Sequence, residues 1–154
     1  MNKNVIIAYV DGSWSSKNPD ISGYGVVITD VNNNVIYVDK GYITGDATVM
    51  RQVAGEVESV VRAVDYAIKN KYSKIVIKYD YEGVRSWVTG DWETRNEWTR
   101  RYSEWMDDAK KKVLIKFEKI ESKDNVADIM ARAYTKAGDV HNSESKLKKE
   151  FDLR

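Results

Sequence analysis

Cysteine is absent from this chain of 154 residues, so neither a disulfide nor a thiolate metal site is open to it, and the composition suits a reducing cytoplasm. Proline is nearly absent as well: Pro19 stands alone, and regular elements should run with few breaks. The only histidine, His141, lies in a polar C-terminal stretch. Charge of one sign is lacking too. With 25 basic and 24 acidic side chains the formal net charge is +1, so any attraction to nucleic acid must come from local patches. No apolar run approaches membrane-spanning length, and Met1-Asn2-Lys3-Asn4 has no apolar segment of the secretory kind. A soluble cytoplasmic monomer without a membrane partner is the expectation.

What is present is the making of one core. The chain is 42% hydrophobic and aromatic-rich, with ten Tyr and five Trp against two Phe. One domain is expected over residues 1–138, followed by a charged tail or short helix over 139–154. No separate binding module or fused polymerase is expected beside it.

The organising stretch is Val5-Ile6-Ile7-Ala8-Tyr9-Val10-Asp11-Gly12-Ser13. Its almost continuous apolar run fits a strand buried on both faces, and it ends at once in an acid, a glycine and a hydroxyl. Three later apolar segments also deliver an acid: Glu56 within Val53-Ala54-Gly55-Glu56, Asp80 closing Ile75-Val76-Ile77-Lys78-Tyr79-Asp80, and Asp128 within Val126-Ala127-Asp128-Ile129-Met130. Buried carboxylates are costly without a cation, and a pair of divalent ions is the usual remedy.

Periodicity supplies the order. Strands are expected over Val5–Asp11, Gly23–Asp30 and Val35–Tyr42, the last two joined by the Asn-rich turn of an antiparallel meander. A long helix follows from about Arg51 to Asn70, then a fourth strand over Lys74–Asp80. A short helix over Tyr81–Trp87 breaks at Gly90-Asp91-Trp92, and a second long helix runs from Thr94 to Lys112 with Trp98, Tyr102, Trp105 and Ala109 as its core stripe. A fifth strand over Val113–Ile120, a loop over Glu121–Asn125 and a helix over Val126–Lys136, stopped by Gly138, complete the set. The fold class is therefore α/β: a mixed five-stranded sheet, three antiparallel strands plus two parallel additions, flanked by helices. The ends of the first and fourth strands should lie side by side and bring Asp11 to Asp80.

At its four acidic positions the chain resembles the type 1 ribonuclease H family, over about Val5 to Gly138. Tyr9-Val10-Asp11-Gly12-Ser13 resembles that family's first-strand signature, and Arg51-Gln52-Val53-Ala54-Gly55-Glu56 its first helical turn with the second acid. Tyr79-Asp80-Tyr81-Glu82-Gly83-Val84 is similar to the fourth-strand motif of bacterial and caulimovirus-like members. Val126-Ala127-Asp128-Ile129-Met130-Ala131-Arg132-Ala133 is similar to the closing helix. Each motif alone is weak; four in the right order are specific.

The resemblance implies a ribonuclease H-like fold and an endonuclease cutting the RNA strand of an RNA–DNA hybrid. It implies two Mg²⁺ ions, replaceable by Mn²⁺, held by Asp11, Glu56, Asp80 and Asp128. Hydrolysis of a phosphodiester needs a water deprotonated near neutral pH and a neutralised leaving oxygen, and hard Mg²⁺ wants oxygen ligands. It further implies substrate contacts from Gly12 and Ser13 at the minor groove, from Gln52 one turn before Glu56, and from Arg51 at a phosphate. Asp124, four residues before Asp128, suits either an N-cap or an additional metal ligand. The loop Glu121-Ser122-Lys123-Asp124-Asn125 departs from the family by holding no histidine, and Lys123 is the candidate phosphate contact in its place. Slower turnover or a different metal preference is expected. The basic residues from Arg95 to Lys112 are interleaved with acids, as on a solvated, salt-bridged face. The rival readings are a metal-dependent nuclease acting on DNA and a non-catalytic nucleic-acid-binding protein of the same fold.

Overall fold

The structure, a computed structural model, describes residues 4–137, the side chains of residues 46–48 and 136–137 excepted. The expected tail over 139–154, the stop at Gly138 and His141 lie outside the described residues. Five strands form one sheet: β1 (Val5–Ser13), β2 (Ser22–Thr29), β3 (Val35–Ile43), β4 (Lys74–Tyr79) and β5 (Leu114–Lys119), in the spatial order β3-β2-β1-β4-β5. β1 pairs antiparallel with β2 and β2 with β3, while β4 pairs parallel with β1 and β5 with β4. This is the expected mixed sheet with β1 at its centre.

The long helix α1 (Gln52–Lys69) lies on one face of the sheet. Val57, Val60, Val61 and Val64 meet Ile6, Ala8, Val10, Ile75 and Ile77 there, all fully or almost fully buried. Burial at roughly 25 cal/mol per Å² of apolar surface makes this layer the main driving force of the fold. β1 departs from the expectation of burial on both faces: its other face, Val5, Ile7 and Tyr9, is only half-covered. β2 is the strand buried along its whole length.

The two helices that follow differ from the sequence reading in their limits. α2 (Gly83–Thr89) ends at Gly90, whose φ of 91° is left-handed, so the expected break falls where glycine permits it. α3 (Glu97–Ala109) starts three residues later than expected, because the Asn96 side chain accepts from the Thr99 amide and the Thr99 hydroxyl closes a capping box. Tyr102 is fully buried on its inner face and donates to the Val84 carbonyl, which ties α3 to α2. Trp98 and Trp105 pack at the edge of the core, as their spacing requires. A 3-10 turn over Gly45–Met50 precedes α1 and has no periodic signature in the sequence.

The expected closing helix is instead two short ones, α4 (Asp128–Ala131) and α5 (Ala133–Ala137), joined at Arg132. Within α5 Thr135 turns its hydroxyl to the Arg132 carbonyl at 3.4 Å and to Ser13 at 3.0 Å, which fastens α5 to the end of β1. The layers meet backbone to backbone at glycines. An added Cβ on Gly55 of α1 would strike the Gly23 carbonyl of β2, and one on Gly23 would strike the Ala131 carbonyl of α4. No described helix is long and apolar enough to cross a membrane.

Candidate metal centre

The parallel register of β1 and β4 pairs Val5 with Lys74 and Tyr9 with Lys78. Carried two residues further, the same offset sets Asp11 level with Asp80. α1 supplies the third acid. Its first turn lies against the end of β1, where a Cβ on Gly12 would collide with the Gln52 carbonyl and the Glu56 amide. Only a residue without a side chain lets the helix approach so closely. Asp11, Glu56 and Asp80 thus each offer a carboxylate oxygen, all within 4.8 Å of one another.

No side-chain N-cap explains where α1 begins. Arg51 precedes it with φ 55° and ψ −130°, a conformation unusual for a residue with a side chain, and makes no capping bond. Ser22 of β2 does the work from across the interface: its hydroxyl donates to the Arg51 carbonyl at 2.6 Å and accepts from the Gly55 amide at 2.9 Å. A serine at a strand end gives no sequence sign that it caps a helix thirty residues later.

Two buried glutamates of α1 make the electrostatics plain. Glu58 is fully buried and its charge is met by Arg62 at 2.8 Å, which also bonds Asp39 at 3.1 Å and lies over the Tyr24 ring. Glu56 is 3% exposed, and its Oε2 has no hydrogen-bond partner among the described residues. Burial is the main force pushing the Glu56 carboxyl well up from its ordinary value, with the charge of Asp11 next. Burial likewise pushes Asp11 up to about 7; Asp80 and Asp128 add to the rise, while Glu56 and the Gly12 amide, which donates to Asp11 at 2.9 Å, work against it. An all-oxygen donor set around an orphaned carboxylate oxygen fits a hard divalent cation.

A cleft of about 490 Å³ opens over the three acids, lined by Gly12, Gln52, Tyr81, Ser122, Lys123 and Asp128 as well. Asp128 therefore faces the same cleft from α4, although its carboxylate is outside the tight trio and bonds Arg132 at 3.0 Å. Gly12 and Gln52 stand at the cleft. Ser13 and Arg51 do not line it: the Ser13 hydroxyl is engaged with Thr135, and the Arg51 guanidinium lies 4.8 Å from the Trp14 ring centre. Asp124 stands apart. It is exposed in a 3-10 turn, Ser122–Asp124, and neither joins the acids nor caps α4. The bond to the start of the last helix comes from Asn125, whose Oδ1 accepts from the Ala127 amide at 3.1 Å.

On α3 the basic residues are paired locally. Arg100 and Arg101 both bond Glu97, and Lys110 and Lys112 reach Asp107 and Asp108, the salt-bridged face that the sequence suggested. A second cavity of about 480 Å³ lies beyond an aromatic wall of Trp87 and Trp92, edge to face with a 5.7 Å centroid separation.

A central strand paired parallel to a later one, with an acid at the C-terminal end of each and a third from the covering helix, defines an acid-cluster α/β domain of the ribonuclease H kind. Residues 9–134 match the family described as reverse transcriptase-like. Among solved structures, ribonuclease H1 of the halophilic archaeon Halobacterium salinarum NRC-1 is similar at a TM-score of 0.73 and 20% identity, over 85% of this chain and 96% of that one. The N-terminal ribonuclease H domain of Rv2228c from Mycobacterium tuberculosis has a TM-score of 0.72 and 19% identity, over 86% and 94%. LC11 ribonuclease H1, from a compost metagenome and solved with an RNA/DNA hybrid, has a TM-score of 0.69 and 22% identity, over 81% and 92%. No curated protein sequence matches significantly. The chain belongs to the reverse transcriptase-like family, and its fold is that of the type 1 ribonucleases H.

Proposed function

We propose that this protein is a metal-dependent endoribonuclease that hydrolyses the RNA strand of RNA–DNA hybrids. One observation carries the reading: Asp11, Glu56 and Asp80 converge within 4.8 Å around a buried carboxylate oxygen that has no hydrogen-bond partner among the described residues. That arrangement is unfavourable without a cation and useful with one. Asp11, Glu56, Asp80 and, from across the cleft, Asp128 are the residues to hold two Mg²⁺ ions, with Mn²⁺ able to substitute. Bound there, such ions supply a water acidic enough to ionise near neutral pH and neutralise the charge growing on the leaving oxygen.

The chain's own groups supply placement. Gly12, at the cleft, lets the first turn of α1 close on β1 and offers its backbone to the minor-groove edge of a hybrid. Gln52, exposed one turn before Glu56, offers its amide to a base edge or a ribose hydroxyl, the contact by which proteins tell RNA from DNA. Lys123 is the cation on the cleft wall and supplies the phosphate contact. With no histidine between Glu121 and Asn125, turnover is slow relative to enzymes with a titrating side chain there. The protein acts as a cytoplasmic monomer, in keeping with its cysteine-free composition.

The deciding experiment offers a labelled RNA–DNA hybrid, matched RNA and DNA duplexes, and Mg²⁺ or Mn²⁺, beside an Asp80→Asn variant. Cutting confined to the RNA strand of the hybrid and lost in the variant is the expected result. Cutting of the DNA duplex instead would make it a DNA nuclease; binding without cutting in either metal would make it a non-catalytic module.

A further inference from the structure

Three of the four elements that carry the acids, β1, the end of β4 and the start of α4, are tied together by one side chain that is neither acidic nor exposed to the cleft. Asn125 follows the 3-10 turn before α4 and is 4% exposed. Its Nδ2 donates to the Val10 carbonyl of β1 at 2.8 Å and to Asp80 Oδ2 at 2.9 Å. Its Oδ1 accepts from the Ala127 amide, whose residue directly precedes Asp128. Both amide hydrogens and the carbonyl oxygen are in use. The orientation of the amide is fixed by these partners. Turned over, it would aim its oxygen at a carbonyl and a carboxylate and its NH₂ at an N–H, losing all three bonds.

We infer that Asn125 is a positioning residue for the metal centre, holding the ends of β1 and β4 and the start of α4 in the relative placement that lets Asp11, Asp80 and Asp128 share cations. The inference rests on the metal-site reading above and deepens it. Asp11 follows Val10 directly, so the bond to the Val10 carbonyl sets the backbone from which Asp11 projects. The bond to Asp80 acts on the carboxylate itself: it engages Oδ2 and so restrains the rotation of the group. The bond to Ala127 sets the first turn of α4. Partners of this outer kind hold metal-ligating carboxylates in one orientation, and their loss typically costs about 10- to 100-fold in metal affinity or activity.

The test compares Asn125→Ala with Asn96→Ala, which removes the α3 cap and so destabilises the fold without touching the cleft. Mn²⁺ affinity of the substrate-free protein, the Mn²⁺ concentration giving half-maximal cleavage, and hybrid binding in chelator are measured for each. Asn125→Ala is expected to raise both Mn²⁺ values by about 10-fold or more, with hybrid binding in chelator changed less than twofold. Asn96→Ala is expected to leave all three as in the wild type despite a lower Tm. Should Asn125→Ala not fold, Asn125→Ser, which leaves room for a bridging water, is expected to weaken Mn²⁺ binding in the same sense. Wild-type Mn²⁺ affinity in a folded Asn125 variant, or an equal loss in Asn96→Ala, overturns the inference while leaving the enzyme reading intact. Failure of the wild type to bind Mn²⁺ at all overturns both.

Discussion

Replacing Asp11 by Asn should make the metal-free protein more stable at neutral pH, although it should abolish cleavage. Burial holds the Asp11 carboxyl up at about 7 in the folded chain, against 3.8 for the free side chain. Below 3.8 the folded and unfolded states are both protonated, and the residue contributes no difference. Between these values the folded state binds the extra proton, so stability falls as pH rises. Above about 7 both states are ionised and the full penalty applies. Three pKa units correspond to roughly 4 kcal/mol, a ceiling because Asp11 and Glu56 titrate together. For a chain of this size each kcal/mol moves Tm by about 2–4 °C. In chelator, wild-type Tm should therefore fall by up to about 10 °C between pH 5 and pH 8, whereas Asp11→Asn should lose much less and exceed the wild type at pH 8. Adding Mg²⁺ at 100 times its dissociation constant should return about 2.7 kcal/mol to the wild type alone. Thermal melts in chelator and in Mg²⁺ across this pH range decide it. A wild-type Tm independent of pH in chelator, or an Asp11→Asn protein no more stable than wild type at pH 8, would refute the argument that the acids are uncompensated.

Other substitutions test the framework that places the acids. Gly12→Ala should cost upwards of about 2 kcal/mol and lower cleavage, because the new methyl can be accommodated only by moving the first turn of α1 away from β1; urea melts and single-turnover rates would show both. Ser22→Ala leaves the buried Gly55 amide without its partner and should cost about 1–3 kcal/mol, read as a shift of the urea midpoint at constant slope. Gly90→Ala, at φ 91° with open space around it, should cost about 1 kcal/mol with no change in cleavage rate per folded molecule. Hybrid affinity in chelator should fall as salt is raised, and with a shallow slope, since most cations of α3 are already paired to acids; a steep slope would point to phosphate contacts elsewhere.

The sheet was legible because its signals are local. Apolar runs of strand length, an Asn-rich turn and one long helical period suffice to order five strands, and two parallel strands each ending in an acid imply adjacent carboxylates. Asp11, Glu56, Asp80 and Asp128 all reach one cleft, and Gly12 and Gln52 join them. What stayed illegible depends on contacts between distant segments. Nothing near Asn125 announces that its amide reaches Val10 and Asp80, and residue type alone does not choose between Asp124 and Asn125 as the cap. Ser13 and Arg51 were placed by their neighbours in the chain, yet Thr135 and Trp14 claim them in space. The single closing helix is divided at Arg132 although its period is helical, and no local signal in the sequence marks that break.

The glycine contacts that join α1, the sheet and α4 also govern how the centre should respond to heat. Where backbone touches backbone at Gly55 and Gly23, and at Gly23 and Ala131, there is no side-chain layer to creep or repack. Warming should leave the activity of each folded molecule on a single straight Arrhenius line until the cooperative transition, where it ends abruptly together with the sheet.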